Sequence, residues 1–144
     1  EDAGSGHMGE QGFASALFYT YICISRDLLV KNLDGNEELA KRAIAAFTET
    51  ALTVSPTGKQ NSFASRAYAT YALAEIGQKQ PRSLAAAFFQ PVRDSDQIAT
   101  AITRLKQQRA SFDNVYGNCA DDYIELNVLE NKGKKEDLLA FVSQ

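Results

Sequence analysis

The 144-residue sequence contains few of the residues that build metal centres and disulfide frameworks. It has two cysteines, one histidine and no tryptophan. Cys23 and Cys119 have no Cys or His neighbour at metal-ligand spacing, so we predict two buried free thiols in a reducing compartment, no metal site and no cofactor. A metal site built from Asp121, Asp122 and Glu125 is a weaker interpretation than an acidic, solvated turn.

The sequence also lacks long hydrophobic runs. No run of about 18 apolar residues occurs, which argues against a membrane-spanning helix. The first two residues are acidic, unlike the basic start of a signal peptide. We therefore predict no membrane partner. Hydrophobic residues make up 44% of the chain, enough to build the core of one α+β domain of this length.

A strong excess of either charge is missing as well, but the charge is unevenly distributed. The chain carries a formal net charge of -3. Residues 1–55 and 113–144 are acidic, whereas residues 56–93, called here the basic block, hold five basic side chains against Glu75 alone. A local density of Lys and Arg predicts an anion-binding region that the total charge hides. The alternative is an ordinary solvated face.

Hydrophobic patterning predicts a strand and a helix in the first half. Residues 4–12 contain four glycines and are interpreted as a flexible or turning segment. The run 13–24 is apolar on both alternating faces, which predicts a central strand covered on both sides. Asp34 with Glu37 resembles a capping box and predicts a helix over about 35–53 whose stripe faces the sheet. That stripe is Leu39, Ala43, Phe47 and Ala51.

The next segment predicts a second strand followed by two helices. Residues 68–76 form the strand candidate, although their alanines leave a helical interpretation open. Pro81 predicts the start of a short helix. Asp94 or Ser95 caps a longer helix that Gly117 ends. Its predicted buried face consists of Ile98, Ala101, Ile102, Leu105, Phe112 and Val115.

The tail predicts a strand over 123–129, a turn over 131–133 and a short terminal helix. Before this tail, the order strand, helix, strand, helix is that of the second half of a ferredoxin-like arrangement. Such a sheet needs two more strands and a helix before residue 13. We therefore expect the chain to be the C-terminal part of a longer protein.

Four motifs in the same order resemble a known family. They are GSGHMGEQGFASALFYTY at 4–21, KNL at 31–33, PTGKQNSFA at 56–64 and QPRSLAAAFFQPV at 80–92. Together they resemble the CasC family, the repeated backbone subunit of the type I-E CRISPR surveillance complex Cascade. The resemblance departs from the family pattern at Thr20, where the family usually has Arg in Phe-Tyr-Arg-Tyr. Arg66 is a candidate for restoring that cation.

The resemblance implies a hand-shaped protein with an RRM-like palm and a thumb hairpin. Residues 1–12 correspond to the descending part of the thumb loop, residues 13–117 to the C-terminal half of the palm, and residues 118–144 to a tail with a strand and a short helix. The implied function is a non-catalytic CRISPR RNA-binding subunit that assembles head to tail along the guide RNA. Its implied partners are CRISPR RNA, target DNA through the guide, other copies of itself and other Cascade subunits, in a prokaryotic cytoplasm.

The candidate RNA-binding residues lie in the basic block and the thumb loop. Exposed amides and a lysine after a Pro-Thr-Gly turn suit contacts to phosphate and ribose that ignore base identity. These residues are Lys59, Gln60, Asn61 and Ser62, with Arg66 nearby. The alternative is a polar turn.

Two further groups complete the candidate RNA contacts. Arg82 lies just inside the predicted helix start, where an anion also meets the helix N-terminus. Salt bridging between subunits is its alternative role. His7 and Met8 could form a wedge between bases, or a disordered loop. A hydrolytic pair of Ser5 and His7 lacks a third residue, so no enzyme is predicted. A protein-interaction or oligomerisation domain without RNA binding is the alternative function.

Overall fold

The computed structural model describes residue 12 and residues 16–58 and 66–144. Within these residues the chain folds as α+β, with four α-helices, one short 3-10 helix and a two-stranded antiparallel sheet. The helices are α1 (Arg26–Asn32), α2 (Glu37–Thr53), α3 (Gln97–Tyr116) and α4 (Lys135–Val142), the strands are β1 (Tyr71–Ile76) and β2 (Asp122–Asn127), and the 3-10 helix is Ala85–Phe88. This combination of helices with an antiparallel sheet is consistent with part of a ferredoxin-like fold.

The predicted strand over 13–24 is not formed in its described part. Residues 16–24, called here the Tyr19 segment, belong to no helix or strand and are exposed. A strand needs a hydrogen-bonded neighbour, and the described sheet contains only β1 and β2. The segment is attached instead through Tyr19, whose hydroxyl accepts a hydrogen bond from the Leu84 N–H at 3.0 Å. The Tyr19 ring also lies 5.3 Å from that of Phe88.

Helix α2 forms where it was predicted, but it begins with a different cap. Asn36 caps it, with Oδ1 accepting from the Leu39 N–H at 3.0 Å. The predicted cap, Asp34, lies in the turn after α1 and has a φ of 53°. Asn36 takes the role because an N-cap directly precedes the first helical residue, Glu37. Helix α1 itself was not predicted, because the apolar run before it favoured a strand.

The buried face of α2 differs from the predicted stripe. Ala40 and Ile44 are the buried residues, at 2% and 5% exposure. Leu39 and Phe47, from the predicted stripe, are 42% and 50% exposed. The reason is that α2 packs against α4, with Leu138 of α4 also buried, rather than against the sheet.

The strand over 68–76 and the tail strand were both predicted, and they pair with each other. The register runs from Tyr71 opposite Asn127 to Ile76 opposite Asp122. Residues directly opposite in an antiparallel pair share a face, so Tyr71, Asn127 and their alternate neighbours point the same way. That face carries Tyr71, Leu73, Glu75, Tyr123, Glu125 and Asn127.

Helix α3 follows the prediction closely. Asp96 caps it by accepting from the Ala99 N–H at 3.0 Å, close to the predicted caps. Gly117 ends it with a φ of 81°, as predicted. The predicted face contains both buried residues of the helix, Ile102 and Leu105, but Val115 is 74% exposed because it lies in the last turn. The helix predicted from Pro81 is only the short 3-10 helix, which begins at Ala85.

The predicted tail turn is held by a buried side chain. Asn127 is 1% exposed, and its Oδ1 accepts from the N–H groups of Leu129 and Glu130 at 3.0 and 3.4 Å. Its backbone pairs with Lys132 in both directions. Gly133 has a φ of 79° and passes close to the backbone of β2. The terminal helix α4 then follows as predicted.

The cysteines and the predicted acidic turn both differ from prediction. Asp122 and Glu125 lie in strand β2, and the Glu125 side chain is only 12% exposed. Both cysteines are free, but Cys23 is exposed and Cys119 only partly buried, so burial was wrongly predicted for Cys23. The Tyr19 segment forms no sheet that would cover Cys23. In the described part of the chain, no group of three metal-ligating side chains could hold a metal ion, and no helix is long and apolar enough to cross a membrane.

Candidate nucleic-acid interface

The loop between α2 and β1 is closed at its base by two hydrogen bonds. The Ala69 N–H donates to the carbonyl of Leu52 at 2.8 Å. The Ser55 hydroxyl donates to the carbonyl of Ala67, also at 2.8 Å. The two ends of this loop, called here the Arg66 loop (residues 55–69), are therefore held together.

The basic and aromatic side chains at the end of the Arg66 loop are open to solvent. Arg66 is exposed and forms no ion pair with any residue that the structure describes. Tyr68, two residues later, is 73% exposed. A free guanidinium suits phosphate, and an exposed ring can stack on a base. Tyr68 was not among the residues predicted to contact RNA, although an aromatic residue two positions from Arg66 is a signal for such a contact.

Most of the predicted RNA contacts lie outside the described residues. These are Lys59, Gln60, Asn61 and Ser62 in the Arg66 loop, and His7 and Met8 near the start of the chain. The turn that precedes the first four, at Pro56–Gly58, is described and exposed. Their assignment to RNA stays a prediction.

Arg82 lies inside the molecule's own network of ion pairs. Its guanidinium donates to Glu75 at 3.0 Å and to Asp113 at 2.8 Å. Arg109 of α3 donates to the same Glu75 at 2.6 Å. The side chains of all four residues are only 14–21% exposed. Two carboxylates thus neutralise two guanidinium groups between α3, β1 and the turn before the 3-10 helix.

The electrostatics of this network stabilise the charged arginines. Burial alone would lower the pKa of both Arg82 and Arg109, but hydrogen bonds and charge attraction from Glu75, with further attraction from Asp113, raise it. The Arg109 guanidinium also stacks over the Tyr123 ring, 3.9 Å from its centre. Both arginines are therefore permanently charged and already paired.

These ion pairs make the Arg82 guanidinium less available to an RNA phosphate. The sequence placed it at a helix start, yet the short helix begins at Ala85, and the Leu84 N–H is bound to Tyr19. A helix N-terminus is therefore not open to an anion at Arg82. Its contact with RNA stays a prediction, and its two carboxylate partners favour a structural role.

The other bases of the basic block are more accessible. Lys79 is exposed and donates to the carbonyl of Asn118 at 2.7 Å. Arg93 is exposed and has no ion-pair partner among the described residues. Arg66 and Arg93 are thus the two described arginines of the block that keep a free guanidinium. Both are suitable for binding either RNA phosphates or acidic side chains of another subunit.

A second charged cluster lies between α3 and β2 and has an internal role. Lys106 of α3 and Lys132 of the tail turn both contact Glu125, at 3.2 and 3.1 Å. Burial would raise the pKa of Glu125, but hydrogen bonds from the two lysines lower it. Burial and the Glu125 charge raise the pKa of Tyr71 beside this cluster. The cluster joins α3 to the sheet, and both of its lysines pair with Glu125.

Comparison with known sequences supplies the remaining evidence. No curated protein matches the chain. The sequence model described as "CT1975-like protein", which represents a CRISPR-associated family, matches residues 1–140. The match covers nearly the whole chain, including the Arg66 loop, the Tyr19 segment and both charged clusters. This protein therefore belongs to the CT1975-like family of CRISPR-associated proteins.

Proposed function

We propose that this protein is a non-catalytic CRISPR RNA-binding backbone subunit of a type I-E Cascade complex, acting in antiviral defence and assembling head to tail along the guide RNA. The observation that carries the proposal is the match of the CRISPR-associated CT1975-like family over residues 1–140. The four CasC-like motifs give the finer assignment to a backbone subunit.

The Arg66 loop is the proposed RNA contact. Its base is closed by two hydrogen bonds, and the exposed Arg66 and Tyr68 offer a phosphate contact and a stacking surface. Lys59, with the amides beside it, adds further contacts to phosphate and ribose. None of these groups needs to distinguish one base from another, as a subunit that serves arbitrary guides requires. Target DNA is then bound through the guide.

The test is RNA binding by the full chain at several salt concentrations, with two fluorescently labelled RNAs of unrelated sequence. We expect Lys59→Ala and Arg66→Ala each to weaken binding of both RNAs alike. Each should lower the slope of log affinity against log salt by about 0.7, because one phosphate contact is lost. Fluorescence anisotropy measures both quantities.

Lys134→Ala and Arg42→Ala are the matched controls. Both side chains are exposed and form no ion pair with a described residue, but they lie outside the basic block. They should leave the affinity and the slope near the wild-type values. Absence of RNA binding, or equal losses in the controls and in the Arg66 loop variants, would contradict the proposed RNA contact.

One observation favours the alternative of a protein-interaction domain without RNA binding. Several large apolar side chains are exposed, among them Phe18 at 90% and Phe89 at 84%. Such side chains are common in surfaces that bind other proteins. Self-association without retained nucleic acid, measured by sedimentation with absorbance at two wavelengths, would support this alternative.

A further inference from the structure

We propose that Asp34 and Gly35 form a site of spontaneous modification, where aspartate converts to isoaspartate through a cyclic succinimide, and that helix α1 limits the rate of this reaction. The site lies in the turn between α1 and α2, outside the proposed RNA contact. It is the only Asp-Gly pair in the sequence. In such a pair the main-chain nitrogen that attacks the carboxyl group is least hindered, because glycine has no side chain.

Both reacting groups are accessible. Asp34 and Gly35 are exposed. The Asp34 carboxylate forms no hydrogen bond or ion pair with any residue that the structure describes. Apart from the neighbouring residues in the chain, nothing lies within 4 Å of the position that a Cβ on Gly35 would take. Neither a bound partner nor a crowded nitrogen therefore holds back the carboxyl group.

The backbone of the turn is unfavourable at the reacting residue. Asp34 has a φ of 53°, in the left-handed region. Helices often end with a residue in this conformation, and it is usually glycine, because a side chain is crowded there. After α1 this position belongs to Asp34, and the glycine comes one residue later. Opening of the turn thus releases an unfavourable conformation of the aspartate.

Two hydrogen bonds at the end of α1 restrain the reacting atoms. The Gly35 N–H donates to the carbonyl of Val30 at 2.9 Å. The Asp34 N–H donates to the carbonyl of Lys31 at 3.3 Å. A nitrogen held by its hydrogen bond is not free to turn toward the carboxyl group, so this end of the helix must open first. Helix α1 has seven residues, none of them buried, and so short a helix opens readily.

The chemistry needs only water. The Gly35 nitrogen attacks Cγ of the protonated Asp34 carboxyl group, and the N–H proton leaves with the carboxyl hydroxyl as one water molecule. Water then opens the succinimide ring. Breaking of the Cγ–N bond restores aspartate, whereas breaking of the bond from nitrogen to the Asp34 main-chain carbonyl carbon gives isoaspartate. Isoaspartate has the same mass and one extra main-chain carbon, so it lengthens the connection between the two helices.

The test incubates the full chain in neutral buffer and digests timed samples with a protease that cleaves after lysine. Residues 32–41 are released as one peptide, whose aspartyl and isoaspartyl forms separate on reversed-phase chromatography. Electron-transfer fragmentation identifies an isoaspartyl bond at residue 34. We expect this form to accumulate at unchanged mass. Asp94 is the internal control, because it is exposed but followed by Ser95, and it should change far less.

Variants and denaturant separate the sequence motif from the restraint by α1. Ser25 caps α1, and Ser25→Ala should speed the reaction about two- to fivefold because it destabilises the helix. Guanidinium chloride should speed it about fivefold, as expected for loss of one hydrogen bond of typical net strength. Gly35→Ala should slow the reaction in native buffer and in denaturant alike. Asp34→Glu should abolish the product, because it cannot form the succinimide ring. Far-UV circular dichroism checks that the variants are folded.

Three results would overturn the proposal. Absence of isoaspartate at residue 34 in the native chain would show that the turn does not react. A rate in native buffer equal to that in denaturant would show that α1 does not restrain the nitrogen. Equal accumulation at Asp34 and Asp94 would show that the glycine does not determine the site.

Discussion

Glu75 is one carboxylate that neutralises two basic side chains. In the sequence it is the only acid of the basic block, and it contacts both Arg82 and Arg109 in the folded chain. Loss of its carboxylate would leave two partly buried guanidinium groups with only Asp113 between them. A group that neutralises buried charge is costly to remove even where the ion pair itself adds little net stability.

We expect Glu75→Gln to lower the free energy of unfolding by about 2 kcal/mol, a value reduced from that of fully buried pairs because the network is partly solvated. Urea denaturation followed by circular dichroism measures the change. Glu130→Gln is the matched control, because Glu130 is mostly exposed and lies 4.0 Å from its nearest lysine partner, Lys106. Equal losses in the two variants would show that the network does not stabilise the fold.

Glu125 gives the protein an acid-sensitive contact. Hydrogen bonds from Lys132 and Lys106 hold its pKa below the usual range of a glutamate, despite burial. A carboxylate with a lower pKa in the folded state stabilises the fold fully above its unfolded pKa. That contribution is lost as the pH falls through the folded pKa.

We therefore expect the free energy of unfolding to decrease as the pH drops below about 5, and Glu125→Gln to make this decrease shallower. Chemical denaturation at a series of pH values measures the slope. The exposed Glu37, changed to Gln, is the control and should keep a slope close to that of the wild type. An unaltered slope in Glu125→Gln would contradict the role of this contact.

At the scale of elements, α2 has two apolar sides, and packing selects one of them. The sequence predicted burial of the stripe containing Leu39 and Phe47, yet α4 covers Ala40 and Ile44. The 3.6-residue spacing of apolar residues correctly predicts a helix, but an apolar stripe alone cannot show which neighbour will cover it.

We expect Ile44→Ala to cost about 2–4 kcal/mol because it opens a cavity in the core. Phe47→Ala should cost about 1 kcal/mol or less, although it removes more atoms, because half of the ring is already in water. Thermal and urea unfolding of both variants measure the difference. The reverse order would mean that α2 buries the predicted stripe.

The tail turn depends on a glycine for two reasons. Gly133 has a φ of 79°, and a Cβ there would meet the carbonyl oxygen of Glu125. Gly35, between α1 and α2, has a similar φ of 82° but open space around it. The two glycines share a backbone requirement and differ only in their surroundings.

We expect Gly35→Ala to cost about 1 kcal/mol, from the left-handed backbone alone. Gly133→Ala should cost about 1–3 kcal/mol more, because the added methyl group must displace strand β2. Urea denaturation of the two variants measures the excess. Equal costs would indicate that the turn accommodates the methyl group without shifting the strand.

On the scale of the whole molecule, positive charge is distributed unevenly. The net charge of -3 conceals a basic block, and the fold divides that block again. Arg82 is neutralised inside the molecule, whereas Arg66 and Arg93 remain exposed. A count of basic residues therefore overestimates the charge that an RNA or a protein partner can meet.

Features that depend on residues close together in the chain could be predicted from the sequence alone. The sequence indicated the helices α2, α3 and α4, both described strands, the glycine at the end of α3 and the tail turn. Caps, periodicity and left-handed turns involve residues only a few positions apart, so they can be recognised in the chain.

Which surfaces and charges remain accessible to a partner depends on the folded chain and could not be predicted from the sequence. In the folded chain, Tyr19 hydrogen-bonds to Leu84 and its segment forms no strand. Helix α2 packs against α4, and Arg82 pairs with Glu75 and Asp113. Burial and ion pairing depend on groups far away in sequence. The local pattern determines that a residue is apolar or charged, but the folded neighbours determine whether it is covered.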